Sequence, residues 1–147
     1  MKSLLPTLLF MMIGISPASA LPADTIGQIQ TMQGTASIVR GTATLSATIG
    51  TALKRGDLIR TAKPGAVGII LTDDTTISLG PNSELSLKEY AFAPKDGNFS
   101  LVARMVKGTF VYLSGLIGKL SPNAVQLLIP DATIAVRGTK LLIEVQE

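Results

Sequence analysis

Histidine, cysteine and tryptophan are absent from the 147 residues. Without cysteine there is no disulfide and no thiolate nucleophile. Without histidine there is no Ser-His-Asp triad, and without either there is no zinc site of the usual Cys/His kind. Aromatic residues make up 4% of the chain, too few for the stacking platforms that bind sugars or single strands. Charged residues make up 16% and the formal net charge is +3, too small and too scattered to argue for nucleic acid. What remains is apolar: hydrophobic residues reach 46%, and the length suits a single domain.

The N-terminus has the pattern of an export signal. Lys2 supplies the positive start, an uncharged apolar run follows through Ile15, and Ala18 and Ala20 give the small-x-small pattern of a cleavage site. The run is shorter than the ~20 residues a membrane-spanning helix needs. An uncleaved anchor is the alternative; the expectation is cleavage between Ala20 and Leu21, with no stable membrane anchor in the product. The domain plan is therefore a signal peptide over 1–20, a lead-in with a first strand over 21–33 and a β domain over 34–147. The expected location is periplasmic or secreted. In an oxidising compartment a cysteine-free chain stabilises itself by core packing alone.

After residue 20 the chain is rich in Thr, Val, Ile and Leu, in short runs broken by Gly, Pro, Asn and Asp, which predicts an all-β domain. Ile69 and Leu71, Ile77 and Leu79, and Leu85 and Leu87 form alternating pairs at steps of eight residues. Asp73-Asp74 and Gly80-Pro81-Asn82-Ser83 separate them as turns. Eight residues are too few for a crossover between neighbouring parallel strands, so the step predicts an antiparallel meander or, as a variant, one coil of a solenoid. Further strands are expected at 27–32, 36–40, 57–61, 99–106, 109–113, 125–129, 133–136 and 140–145. Lys107-Gly108 and Arg137-Gly138 read as tight turns between strands. Residues 116–120 hold the one stretch suited to a helical turn. Sandwich and solenoid geometries both remain open.

Little of this reads as chemistry. Asp73 and Asp74 are adjacent carboxylates, but strand neighbours point to opposite faces, and turn formation explains them better than acid/base work. Asp57, Asp131 and Glu144 are dispersed, and no calcium loop, S-x-x-K, G-x-S-x-G or P-loop is present. No enzyme, cofactor or metal is expected. Lys54, Arg55, Arg60 and Lys63 form a basic stretch around Asp57. It reads either as a patch for a partner protein or an anionic wall polymer, or as a solvated strand rim. Phe110 and Tyr112 share a strand face and belong to the core.

Residues 34–145 resemble the FecR domain, which forms the periplasmic part of FecR-type signalling proteins and occurs in many exported proteins of Gram-negative bacteria. Leu53-Lys54-Arg55-Gly56-Asp57-Leu58-Ile59-Arg60-Thr61 is similar to its leading L-x-x-G-D-x-I-x-T motif. The stretch 69–79 around Asp73 is similar to its strand, D-G-S, strand segment, which Ser83-Glu84-Leu85-Ser86-Leu87 continues. Val106-Lys107-Gly108-Thr109-Phe110 resembles its L-x-x-G-x-F element, and 129–139, with Pro130, Arg137, Gly138 and Thr139, its closing T-P-x-A-x-x-x-V-R-G-T signature. Asp74 stands where the family commonly has glycine, and Ile129 where it often has threonine. The resemblance implies an all-β fold and a periplasmic location. Together with the expected leader and the missing catalytic groups, it leads to the expectation of a non-enzymatic module that binds an envelope protein, and the basic stretch makes a carbohydrate- or peptidoglycan-binding module the alternative. It does not carry over anti-sigma activity, since signalling members have a cytoplasmic tail and a membrane helix before this domain and a cleavable leader is expected here. The matched residues are expected to define the fold more than a binding surface.

Overall fold

The computed structural model describes Gly14 and residues 24–146. The rest of the expected leader and the Ala20–Leu21 junction lie outside these described residues. Ten strands account for most of the chain: β1 (Thr25–Arg40), β2 (Ala43–Ser46), β3 (Ala52–Lys54), β4 (Leu58–Leu71), β5 (Thr76–Leu79), β6 (Glu84–Ala93), β7 (Asn98–Leu113), β8 (Val125–Ile129), β9 (Ala132–Ala135) and β10 (Lys140–Val145). One short α-helix among the described residues, α1 (Leu116–Leu120), falls where the sequence predicts a helical turn, and single 3₁₀ turns lie at Pro94–Asp96 and Pro122–Ala124. Among the described residues no helix is long and apolar enough to cross a membrane.

Three long strands organise the molecule, and each changes neighbours along its length. β1 runs beside β4 almost throughout, and pairs on its other edge with β3 near Thr25 and with β2 from Ser37 onward. β4 pairs with β6 over Leu58–Arg60 and with β5 over Val67–Ile70. β7 pairs first with β6 and β8, then with β5 and β10. Two half-sheets result, one in the order β2-β1-β4-β6-β7-β8-β9 and one in the order β3-β1-β4-β5-β7-β10. Both are joined through β1, β4 and β7. Ladder hydrogen bonds join the three long strands to their neighbours while their inward side chains alternate into one core.

That core is a single cluster. Ile29, Ile38, Leu53, Ile59, Ile69, Ile77, Leu85, Leu101, Phe110 and Tyr112 are fully buried, so the expectation for Phe110 and Tyr112 holds. The corner between the half-sheets is set by backbone. Gly34 has a left-handed φ of 66° and faces Gly65 where the β1–β4 register shifts. A Cβ there would overlap the Pro64 carbonyl oxygen, so the two strands approach too closely for any side chain.

The structure departs from the sequence expectations in four places. The three alternating pairs sit on β4, β5 and β6, but no meander follows. β5 pairs with β4 and β7, while β6 crosses to the other end of β4. The turn after β5 is anchored sideways, with the Gly80 N–H on the Thr109 carbonyl at 2.9 Å, so the chain turns a corner instead of reversing in plane. Lys107-Gly108 is not a turn: β7 runs through it, with Gly108 at φ 105° absorbing a kink. The predicted strands 27–32 and 36–40 are likewise one strand, kinked at Gly34. Arg137-Gly138 is a bend, but the strands it joins do not pair with each other; β9 lies on β8 and β10 on β7. The β7–β8 pair is parallel, made possible by the connection through α1.

Candidate functional site

Most motif side chains hold corners of the fold together. Asp57 is fully buried at the β3–β4 turn. Arg40 of β1 donates to it twice, Nε to Oδ1 at 2.9 Å and Nη2 to Oδ2 at 2.7 Å, and the Lys54 N–H donates to Oδ2 at 2.8 Å. The same guanidinium reaches the Ala52 carbonyl at 3.0 Å. A bidentate pair of this kind ties three strands at one point, and hydrogen bonding to Asp57 raises the pKa of Arg40 above its ordinary value. Gly56, beside it, donates its N–H to Leu87 of β6 at 2.6 Å.

Asp73, also fully buried, is the second knot. Its carboxylate accepts from the Thr75 hydroxyl at 2.7 Å, the Tyr90 phenol at 3.0 Å and the Ile117 N–H of α1 at 3.0 Å. Tyr90 in turn accepts from the Asp73 N–H at 2.9 Å. Asp73 thus joins the β4–β5 turn, β6 and the first turn of α1. Burial, ahead of any other cause, pushes the Tyr90 phenol well above its ordinary range, and does the same more weakly to Tyr112. Asp74 stands at φ 68°, a left-handed conformation that explains why it occupies a common glycine position: aspartate tolerates that region better than most residues.

Thr61 makes the third. Its hydroxyl donates to the Gly80 carbonyl at 2.6 Å and accepts the Ser83 N–H at 2.9 Å. The Ser83 hydroxyl accepts the Thr109 N–H at 3.1 Å. Gly108 covers this hydroxyl so closely that a Cβ would overlap it.

The basic stretch is divided. Lys54 lies 3.1 Å from Asp24, and Arg60 donates to Glu84 at 2.8 Å, so two of the four cations carry a carboxylate partner. Arg55 is exposed in the β3–β4 turn and Lys63 is exposed on β4. Arg60 and Glu84 border a groove with Thr61, Asn82 and Lys107.

The closing motif behaves differently. Pro130 and Asp131 make the β8–β9 turn and Val136 is buried, but Arg137, Gly138 and Thr139 are exposed. The Thr139 carbonyl accepts the Ser114 N–H at 2.8 Å, fixing the bend while its side chain faces out. Arg137 has no carboxylate within ion-pair distance among the described residues. It edges a cleft of about 370 Å³ with Gly118, Pro122, Asn123 and Val136. Among the described residues no cluster of acidic side chains suits a metal ion.

Arg40 and Tyr90 were not singled out by the sequence, and Ser83 was read only as a turn and motif position, not for its buried hydroxyl. Tyr90 had a weak signal, as one of few aromatics near a strand end. Arg40 had none, because its pairing with Asp57 depends on register.

Together, the half-sheets and their motif knots define an antiparallel all-β domain held by buried polar corners. The FecR protein family matches residues 57–147, more than half of the chain, and the chain belongs to that family. Its domains are generally non-enzymatic and regulatory, and typically periplasmic. No curated protein and no solved structure matches the chain.

Proposed function

We infer that this protein is an exported interaction module of the cell envelope, working in the periplasm, and that the Arg137 cleft receives a carboxylate-bearing segment of a partner protein. One observation carries the reading. Asp57, Thr61 and Asp73 direct their polar atoms inward to hydrogen-bond partners, whereas Arg137 presents a charged side chain to solvent beside a cleft. An exposed guanidinium with its donors uncommitted is suited to bidentate recognition of a carboxylate.

A photoreactive residue placed at Asn123 tests this in cells. A discrete protein adduct is expected, lost in Arg137→Glu and retained in Arg104→Glu, which reverses an exposed arginine on β7. An adduct indifferent to Arg137 would sink the cleft assignment. Purified peptidoglycan provides the contrast. Cosedimentation abolished by reversing Lys54 and Arg55 would instead make this a wall-polymer module bound through the basic stretch.

A further inference from the structure

Four strands, β2, β3, β9 and β10, pair on one edge only among the described residues, and β3 is just three residues long with Lys54 tied to Asp24. β2 and β9 are four residues long and uncharged. β10 is six residues long and reads Lys140-Leu141-Leu142-Ile143-Glu144-Val145. Leu142 at its middle is 69% exposed, more than any other large hydrophobic side chain described. Its neighbour across the ladder is Val111, and Leu113, itself 42% exposed, stands next along β7 opposite Lys140. Lys140, Leu142 and Glu144 alternate, so all three stand on one face of the sheet.

The charge pattern around Leu142 is self-complementary. If the strand is turned about a two-fold axis through Leu142 and laid antiparallel against itself, Leu142 meets Leu142. Lys140 meets Glu144 of the second copy, Glu144 meets Lys140, and Leu141 meets Ile143. Directly opposed residues on one face are the pairs that stabilise an antiparallel ladder, and here each pair is apolar with apolar or positive with negative. We propose that a second copy of this chain docks on β10, edge to edge and antiparallel, joining the β3-β1-β4-β5-β7-β10 half-sheets of two molecules into one. The contact is isologous and uses the free edge of both strands, so assembly stops at the dimer. It shares no lining residue with the Arg137 cleft and does not depend on what occupies it.

The charges provide the test. In protein expressed from the full chain, light scattering is expected to report a dimer. Lys140→Glu and Glu144→Lys each set like charges opposite each other in both symmetry-related pairs, and each weakens association by about tenfold or more. Mixing these two variants restores association, because all four facing charges in the mixed dimer are then opposite. An unreversed protein that stays monomeric at roughly 100 µM, or a mixture no tighter than its components, overturns the proposal. A second variant avoids charge altogether. The chain has no cysteine, so Leu142→Cys introduces a single thiol. Opposed residues of an antiparallel pair have Cα atoms about 4.5–5.5 Å apart, within disulfide reach. Mild oxidation is expected to link Leu142→Cys into a covalent dimer well ahead of Ile49→Cys, whose parent side chain is 68% exposed. Equal rates overturn the β10 contact. A heavier adduct through Leu142→Cys to a different protein would also overturn it, while leaving the interaction-module reading intact.

Discussion

Asp73 is held by three donors that would have no other partner if it were removed, the Thr75 hydroxyl, the Thr75 N–H and the Ile117 N–H, while the Tyr90 phenol would keep the Thr72 hydroxyl at 2.9 Å. Each buried donor left unmatched costs about 1–3 kcal/mol. Asp73→Ala is therefore expected to destabilise the protein by about 3 kcal/mol or more, read as a lower urea midpoint, and to free α1 from the β4–β5 turn. Gly108 is constrained in a different way. Its φ of 105° and the Ser83 side chain beneath it leave no place for a methyl group. Gly108→Ala should cost about 2–4 kcal/mol in the same measurement, whereas alanine at the exposed Lys88 of β6 should change little.

Between strands, the Arg40–Asp57 pair links β1 to the turn that starts β4, and the same guanidinium holds β3 through Ala52. Arg40→Met keeps the stem but leaves a fully buried carboxylate with one backbone donor. Because Arg40 is itself a third exposed, a loss of about 2 kcal/mol is expected in denaturant unfolding. Element by element, local chemistry was legible and pairing was not. Ile69/Leu71, Ile77/Leu79 and Leu85/Leu87 announced three strands because a half-buried strand alternates with period two. The same pattern says nothing about which edge lies beside which, so β5 and β6 were misplaced as neighbours. Gly108 was legible as a special backbone position but read as a chain reversal, since a kink and a turn both call for glycine. Asp73 read as a turn former, and its buried role was hidden because Tyr90 and Ile117 reach it only through the tertiary fold.

For the molecule as a whole, the buried phenols make stability depend on alkaline pH. The pKa of Tyr90 is raised above its ordinary 10.0, chiefly by burial, so the native state keeps a proton that the unfolded chain releases. The stabilisation is complete below the unfolded value and is lost as the pH rises past about 10 toward the native one. A fall of roughly 1 kcal/mol in unfolding free energy is expected from about pH 9 to about pH 11. Tyr90→Phe, though less stable at neutral pH, should show a shallower decline. Asp57 adds a practical consequence for anyone cutting the gene. The stretch of chain recognisable by descent opens on that aspartate, yet its counter-ion is carried by Arg40, upstream of the recognisable part. A fragment trimmed to the matched boundary would bury a naked anion and strip β4 of the long strand along its flank. What is inherited as a signature is thus shorter than what must fold, and an excised version needs to begin no later than Thr25.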